Sequence, residues 1–174
     1  MPADAATAGP GPVALPALRV GQGFDVHPFS DDPTRRLVLG GVEFAGERGL
    51  AGHSDADVIA HAVTDALLGA AGLGDIGQHF PDTDPALAGA DSMVLLGRAV
   101  ADVRAAGWTP LNVDCTVVAE APKLAPRRDA IRARLTEAVG APVTVKGKRA
   151  EGLGALGRAE GVACFSVALL VGAS

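Results

Sequence analysis

The central segment of this chain reads His53-Ser54-Asp55-Ala56-Asp57-Val58-Ile59-Ala60-His61, runs on through Asp65, and ends Gly74-Asp75-Ile76-Gly77-Gln78-His79-Phe80-Pro81-Asp82-Thr83-Asp84. Three of the four histidines of the protein lie within it. The fourth, His27, follows Asp25 in an upstream segment. Because the chain concentrates its metal-capable side chains in these two segments, we expect the two to meet in the fold.

The central segment opens a predicted helix over about 55–71. Ser54 is the predicted N-cap, with Asp57 three residues on as in a capping box. The helical period places a core stripe at Ile59, Val63, Ala66, Leu67 and Ala70. Gly72 and Gly74 end the helix. Asp57, His61 and Asp65 recur every fourth residue and share one stripe beside the core face.

Elements of both kinds flank this helix along the chain. A strand over 18–24 continues through Asp25 and His27. A hairpin of 36–39 with 42–44 comes before the helix, and an acidic loop over 75–90 follows it. Two further helices are predicted, one over 91–106 with apolar Met93, Val94, Leu96, Val100 and Val103, and one over 126–139 that begins with Pro126. Three further strands are predicted over 111–119, 142–147 and 161–171, and the last of them is central. This alternation predicts an α+β fold, a two-layer α/β sandwich with a mixed sheet packed by helices on one face.

Composition excludes several classes of function. The 174 residues fit one domain over 18–174, preceded by a disordered tail over 1–17 that lacks the basic start and apolar block of a signal peptide. A formal charge of −5 disfavours a nucleic-acid partner, and no apolar run is long enough for a membrane span. Cys115 and Cys164 lie in predicted strands and read as buried free thiols, which suits a cytoplasmic protein.

Asp25, His27 and His61 form a candidate metal site. Asp25 and His27 point to one face of their strand because strand side chains alternate. With His61 they offer one carboxylate and two imidazoles, the pattern of catalytic zinc with a fourth position open. Asp65 could orient His61 as a hydrogen-bond acceptor. The alternatives are that Asp57 or Asp65 simply pairs with His61, or that His53 or His79 serves as a ligand.

A second group of residues suits phosphate chemistry. Asp75-Ile76-Gly77 and Phe80-Pro81-Asp82 place carboxylates and backbone amides on one loop. Basic side chains gather near Glu151, namely Lys146, Lys148, Arg149 and Arg158, and Lys123 follows the end of a strand. A carboxylate among cations suits a divalent ion that bridges phosphates. The alternative is a solvated charged loop.

These motifs together resemble the family of 2-C-methyl-D-erythritol 2,4-cyclodiphosphate synthase, of the non-mevalonate isoprenoid pathway. The resemblance covers residues 19 to about 171. The matching segments are Gly23-Phe24-Asp25-Val26-His27, His53-Ser54-Asp55-Ala56-Asp57, His61-Ala62-Val63-Thr64-Asp65-Ala66-Leu67-Leu68-Gly69-Ala70, Gly74-Asp75-Ile76-Gly77, Phe80-Pro81-Asp82-Thr83-Asp84-Pro85, Gly89-Ala90-Asp91-Ser92, Asn112-Val113-Asp114, Ala121-Pro122-Lys123 and Gly157-Arg158-Ala159-Glu160-Gly161.

The resemblance implies a homotrimer with its sheets around a central cavity and its active sites between neighbouring subunits. It implies zinc on Asp25, His27 and His61, and magnesium or manganese on Glu151. The implied substrate-binding residues are His53 and Ser54 for the phosphates, Asp75 and Gly77 for the methylerythritol diol, Phe80, Asp82 and Arg158, and, from the neighbouring subunit, Ala119, Lys123, Leu124, Gly147, Lys148 and Arg149 for the cytidine. Catalytic roles fall to Asp25, His53, Lys123 and Glu151.

The implied reaction starts from 4-diphosphocytidyl-2-C-methyl-D-erythritol 2-phosphate. Its 2-phosphate attacks the β-phosphorus, CMP leaves, and an eight-membered cyclic diphosphate forms. Such phosphoryl transfer needs positioning and charge neutralisation rather than a protein nucleophile. Two other readings remain open, a metal-dependent phosphoesterase that uses water, and a trimeric binding scaffold with a structural zinc.

One segment departs from the family pattern. Where the family commonly reads Lys-Ala-Thr-Thr-Thr-Glu-Lys-Leu-Gly-Phe, this chain reads Lys146-Gly147-Lys148-Arg149-Ala150-Glu151-Gly152-Leu153-Gly154-Ala155. Lys148 and Arg149 thus replace two hydroxyl side chains, and Ala155 replaces the aromatic expected at the central cavity. Because the substrate carries several negative charges, we expect at least one of the two cations to reach its diphosphate.

Overall fold

The computed structural model describes residues 16–173, so the predicted tail over 1–17 lies almost entirely outside the described residues. The strands are β1 (Leu18–Pro28), β2 (Val38–Leu39), β3 (Val42–Glu43), β4 (Trp108–Val118), β5 (Val143–Lys148) and β6 (Gly161–Gly172). The helices are α1 (Val58–Ala71), α2 (Ile76–His79), α3 (Ser92–Ala105), α4 (Arg128–Val139) and α5 (Gly154–Gly157).

Four of the strands form one mixed sheet in the order β1-β6-β4-β5. β6 is antiparallel to both of its neighbours, and β4 and β5 are parallel. The predicted mixed sheet and the central position of the last strand are therefore confirmed. From Cys164 to Val171 of β6, buried side chains alternate with exposed or partly exposed ones, because one face packs against helices. Exposed apolar residues mark the opposite face, namely Val20, Phe24, Val26, Phe165 and Val167.

Helix α1 lies against β1 at a distance that only glycine permits. A Cβ built on Gly21 would lie 2.1 Å from the Ala66 carbonyl oxygen, and one built on Gly23 would lie 1.9 Å from the Ala62 carbonyl oxygen. The strand and the helix thus approach backbone to backbone. Because Asp25 and His27 follow Gly23 on the same strand, this close packing brings them beneath the first turns of α1.

The start of α1 differs from the prediction. Ser54 is not the N-cap, and Asp57 is not the third residue of the helix. Instead Asp57 is the N-cap, and its fully buried carboxylate accepts hydrogen bonds from the N–H groups of Ile59 and Ala60. It also accepts from Gly40 and Gly41 in the β2–β3 hairpin, at 2.8 and 2.6 Å. A carboxylate that ties a hairpin to a helix satisfies more donors than the Ser54 hydroxyl could.

Other element boundaries also shift. The loop predicted over 75–90 contains α2 and a 3₁₀ turn at Pro85–Leu87. β4 begins at Trp108 rather than 111, and an irregular register near Pro110 accommodates the missing donor. A 3₁₀ turn at Ala125–Arg127 precedes α4, so Pro126 lies before that helix.

Two further expectations concern burial. Val94, expected among the apolar residues of α3, is 52% exposed, and Leu95 is buried in its place. Cys115 and Cys164 are buried and free, as expected. None of the helices in residues 16–173 combines the length and apolar character that a membrane crossing requires.

Candidate active site

Asp25, His27 and His61 meet at the carboxyl end of β1. Asp25 Oδ2 lies 3.0 Å from both His27 Nε2 and His61 Nδ1. The two imidazole nitrogens are 3.2 Å apart. Three ligand-type atoms thus form a nearly equilateral triangle, and this is the one potential metal cluster among the residues that the structure describes. One carboxylate and two imidazoles fit the donor preferences of zinc, with room for a fourth ligand.

Backbone contacts set the orientation of His27. Its Nδ1 lies 2.8 Å from the carbonyl oxygen of Ala51. Since a carbonyl can only accept, Nδ1 carries the hydrogen, and the lone pair of neutral His27 is on Nε2. That nitrogen faces Asp25 and His61, which is the arrangement a metal ligand requires.

The charges in the cluster reinforce one another. Burial alone would raise the pKa of Asp25, but hydrogen bonds and attraction from His27 and His61 outweigh it and hold that pKa well below its usual range. Burial lowers the pKa of His27, yet the hydrogen bond and charge of Asp25 raise it overall. Asp25 therefore remains an anion at neutral pH and is available as a charged ligand.

The alternative partners and ligands for this cluster are all engaged elsewhere. Asp65 does not orient His61, because its Oδ1 accepts the N–H of Ile76 at 2.7 Å. Asp57 caps α1, as described above. His53 Nε2 lies 2.8 Å from the Asp84 carbonyl, and His79 Nε2 lies 2.9 Å from the Leu73 carbonyl. Neither histidine belongs to the triangle.

A cavity of about 430 Å³ opens beside the triangle. The three cluster residues line it together with His53, Ser54, Gly77, Phe80 and Asp82, all expected at the site. Asp75 is not among the lining residues. It caps α2, where its carboxylate accepts from the backbone and side-chain amides of Gln78, each at 2.9 Å. Because Asp75 caps the short helix α2, and Gly77 of that helix lines the cavity, Asp75 helps to hold Gly77 at the cavity wall.

A second cavity, of about 250 Å³, lies between the ends of β4 and β5. Six expected residues line it: Ala119, Lys123, Leu124, Gly147, Lys148 and Arg149. The sequence reasoning missed two charged residues there, Glu120 and Arg128. Glu120 directly precedes the Ala121-Pro122-Lys123 motif, and Arg128 lies one helical turn beyond Leu124. Including the residues on either side of that motif in the candidate site would have identified both.

Arg149 is paired with Glu120 at the rim of this second cavity. Its Nε and Nη2 both lie 2.8 Å from Glu120 Oε2, while Glu120 Oε1 accepts the N–H of Ala150 at 3.0 Å. The hydrogen bond from Arg149 is the main reason that the pKa of Glu120 is lowered. Since a lowered carboxyl pKa keeps the pair charged, the contact persists from neutral pH down toward that lowered value and is lost below it.

The remaining predicted basic and acidic residues line neither cavity. Lys146 pairs with Asp114, and Arg158 donates to Glu160 at 2.6 Å. Glu151 is exposed and has a left-handed backbone, with φ of 53°. None of these three side chains belongs to the lining of the second cavity.

The two cavities lie at the same end of the sheet but on different strands. β1 carries the triangle at one edge, and β5 carries Lys148 at the other. The two edge strands are three strand spacings apart, on the order of 14 Å. No residue lines both cavities.

Residues 18–171 match the YgbB family. The chain is 60% identical over 160 residues to the 2-C-methyl-D-erythritol 2,4-cyclodiphosphate synthase of Bordetella petrii, which covers 90% of this chain and 98% of the relative.

Solved structures are also similar to this chain. Among them, the bifunctional IspDF of Campylobacter jejuni superposes with a TM-score of 0.86 at 42% identity, over 91% of this chain and 43% of that one. IspF of Plasmodium falciparum, described as a CDP complex, superposes with a TM-score of 0.78 at 32% identity, over 92% of this chain and 100% of that one. From the match over nearly the whole described chain, this protein belongs to the YgbB family, the family of the 2-C-methyl-D-erythritol 2,4-cyclodiphosphate synthases.

Proposed function

We propose that this chain converts 4-diphosphocytidyl-2-C-methyl-D-erythritol 2-phosphate to 2-C-methyl-D-erythritol 2,4-cyclodiphosphate and releases CMP. It is a lyase of isoprenoid precursor biosynthesis. Family membership supports this activity, and the observation that carries it is the triangle of Asp25, His27 and His61 at the wall of a cavity lined by His53 and Ser54. That arrangement places a cation site beside polar groups suited to phosphate oxygens.

Zinc is the proposed metal for the triangle, held by Asp25, His27 and His61. Magnesium or manganese on Glu151 is the proposed second cation. When bound, these ions supply positive charge that neutralises phosphate oxygens and orients them. Zinc is chosen for the triangle because two of its three donors are imidazoles. Magnesium or manganese is chosen for Glu151 because its carboxylate and the substrate phosphates offer oxygen ligands.

The side chains around the first cavity bind and orient the methylerythritol end. His53 and Ser54 contact the phosphate region, with His53 fixed by its contact to the Asp84 carbonyl. Asp75 and Gly77 hold the diol, and Phe80 and Asp82 close the wall. No residue of the chain needs to act as a nucleophile, because the substrate's own 2-phosphate attacks.

The second cavity binds the cytidine end. Ala119, Leu124 and Gly147 line it, and Lys123, Lys148 and Arg149 bring positive charge toward the diphosphate. Arg158 remains a proposed contact from outside the cavity. The description of the Plasmodium falciparum relative as a CDP complex supports a cytidine diphosphate ligand. Lys123 is the proposed catalytic cation on this side, because it is exposed at the rim and free to follow developing charge.

A homotrimer is the proposed assembly, with the two cavities of different subunits facing each other. Two observations support it. The cavities within one chain share no residue and are separated by β6. The sheet face opposite the helices carries exposed apolar side chains, among them Phe24 and Phe165, whose rings are 4.8 Å apart. Contiguous exposed apolar surface of this kind marks contact with another protein surface.

The deciding assay is CMP release from the diphosphocytidyl substrate, with and without a chelator, together with identification of the other product. A cyclic diphosphate and chelator-sensitive CMP release are expected. Open-chain phosphates in its place would identify a phosphoesterase. Metal-loaded protein without any turnover would identify a binding scaffold with structural zinc.

A further inference from the structure

A buried serine, Ser92, and a partly buried aspartate, Asp55, lie behind His61, on the side away from the proposed metal. Ser92, at the start of α3, is 1% exposed, and its Oγ lies 2.8 Å from His61 Nε2. The same hydroxyl lies 2.5 Å from Asp55 Oδ1, and Asp55 Oδ2 accepts the Ser92 N–H at 3.2 Å. Asp55 thus holds both the backbone and the side chain of Ser92.

These contacts determine the direction of each hydrogen bond. The Ser92 hydroxyl has one hydrogen, and it points to the Asp55 carboxylate, which can only accept. Its oxygen lone pairs are then left for His61, so Nε2 carries the ring hydrogen and donates to Ser92. Nδ1, the atom in the triangle, lies 3.0 Å from Asp25 Oδ2 and donates to that carboxylate while the triangle holds no cation. A bound cation takes the place of that hydrogen, and the neutral His61 ring then has its lone pair on Nδ1 and its hydrogen on Nε2, where Ser92 accepts it.

We propose that Ser92, fixed by Asp55, is a positioning residue that holds His61 in the tautomer and ring orientation needed for metal binding. The inference rests on the proposed metal site for the benefit it gives, whereas the hydrogen on Nε2 follows from the Ser92 and Asp55 contacts alone. Hydrogen-bond partners behind a liganding histidine commonly raise metal affinity about 10–100-fold. Ser92 does for His61 what the Ala51 carbonyl does for His27.

A purely structural role at the start of α3 does not account for the Ser92 side chain. The helix already has an N-cap in Asp91, whose Oδ1 accepts the N–H of Met93 at 2.8 Å. Ser54 Oγ lies 3.1 Å from His61 Nε2 and is the second neighbour of that atom, but it also accepts the N–H of Ala56. Ser92 is both the nearer partner and the one whose own hydrogen is committed elsewhere.

The test compares Ser92→Ala and Asp55→Asn with the parent protein, and uses Asp91→Ala as the matched control because it weakens the same helix start and leaves the hydroxyl in place. Nitrogen-15 NMR of labelled histidines in metal-free protein reports the tautomer of His61. Chelator competition reports the zinc dissociation constant. We expect Nε2–H in the parent and the control. Ser92→Ala should show mixed tautomers and zinc binding weaker by about 10–100-fold, with Asp55→Asn in between.

The two readouts separate the inference from the metal proposal. An Nε2–H tautomer and a zinc affinity that are the same in Ser92→Ala as in the parent would overturn the role of Ser92. A parent protein that binds no zinc would overturn the metal site, while the NMR comparison would still decide the tautomer. Should Ser92→Ala fail to fold, Asp55→Asn gives the same comparison with the hydroxyl retained.

Discussion

Asp25 is shared between two imidazoles through a single oxygen atom. Its Oδ2 lies 3.0 Å from a nitrogen of His27 and from a nitrogen of His61. A carboxylate in that position accepts a hydrogen bond from each ring and keeps the two ring nitrogens directed at one point. The geometry therefore depends on each of the three side chains, and removal of any one leaves two ligands for the cation.

His61→Ala tests this dependence. We expect loss of stoichiometric zinc, a fall of on the order of 100-fold or more in CMP release, and an unchanged oligomeric state, because the side chain lies at the cavity and not on the exposed sheet face. Metal analysis and an activity assay measure the result. His79→Ala is the control, since His79 lies outside the triangle. Stoichiometric zinc in His61→Ala would contradict the ligand assignment.

Arg149 is one of two cations that stand where the resemblance leads us to expect hydroxyl side chains. Its pairing with Glu120 leaves it at the rim of the second cavity, 69% exposed. Arg149→Thr should raise the Michaelis constant about 3- to 10-fold, which is less than a buried charged hydrogen bond contributes, because exposure to solvent weakens this one. The salt dependence of that constant should flatten, since one screened contact is gone.

The control for Arg149→Thr is Arg132→Thr, which removes an exposed arginine that pairs with Asp129 on α4. Zinc content should be unchanged in both variants. Steady-state kinetics over a salt series provide the measurement. If Arg149→Thr matches the parent protein at every salt concentration, Arg149 serves only to hold Glu120 and the backbone of residue 150.

At the scale of elements, the site depends on how closely α1 can approach β1. Gly21 and Gly23 present bare backbone to the carbonyl oxygens of Ala66 and Ala62. The helix therefore lies lower on the sheet than side chains would allow, and His61 reaches the two ligands at the end of the strand. The two-residue period of the strand places Asp25 and His27 on one face. The glycines allow α1 to approach β1 closely enough for His61 to reach them.

Gly23→Ala should be strongly destabilising, because its Cβ would lie 1.9 Å from the Ala62 carbonyl oxygen. We expect the free energy of unfolding to fall by about 2–3 kcal/mol, which is the upper part of the range for overpacking, since a backbone carbonyl cannot rotate away as a side chain can. Zinc affinity should fall as well, because α1 must move away from β1. The thermal midpoint at one fixed protein concentration measures the change.

Gly69→Ala is the matched control for this substitution. Gly69 is an exposed residue of α1, and an added Cβ there meets nothing within 4 Å. The free energy of unfolding should be about 0.5–1 kcal/mol higher in Gly69→Ala than in the parent protein, because alanine stabilises a helix relative to glycine. Equal midpoints for Gly23→Ala and the parent protein would show that the helix is not held by this contact.

At the scale of the whole molecule, each chain has two separate cavities at the same end of the sheet, which in the proposed trimer would be half-sites completed by neighbouring subunits. The exposed apolar face opposite the helices and the separation of the cavities both point to assembly. In a cyclic oligomer each interface would join the triangle of one subunit to the second cavity of the next.

Phe165→Asp should release subunits from the oligomer. Phe165 is 46% exposed and contacts Phe24 on the face without helices. Each subunit would lose the burial of an aromatic ring, worth about 1.5–3 kcal/mol, and would bury a charge. Light scattering measures the mass. Val94→Asp, at 52% exposure on α3, is the control and should keep the parent mass. An unchanged mass for Phe165→Asp would place the interface elsewhere.

Complementation tests whether sites are shared. Asp75→Ala and Lys123→Ala should each be inactive alone. Co-expression should restore about a quarter of the parent activity, the share of interfaces that pair two intact half-sites after random mixing. Activity of purified hybrids, with composition verified by differently tagged chains, gives the measurement; in them the expected share rises to about a third, because every mixed trimer has one intact interface of three. Hybrids without any recovery would argue that each site lies within one chain.

Patterns of short range in the sequence correctly predicted much of this protein. The period of two placed Asp25 and His27 on one face, and the period of 3.6 placed His61 beside the buried stripe of α1. Composition and turn residues identified the alternation of strands and helices and the central last strand. These features depend on neighbours within a few residues, so the sequence displays them directly.

Contacts between distant segments were decided by the tertiary structure alone. Asp57 replaced Ser54 as the cap of α1 because Gly40 and Gly41, 17 and 16 residues away, present two further donors to it. Ser92 reached His61 across 31 residues of chain. Arg149 paired with Glu120 across 29 residues. A side chain takes the partner that satisfies most of its hydrogen bonds, and packing brings that partner near regardless of its position in the sequence.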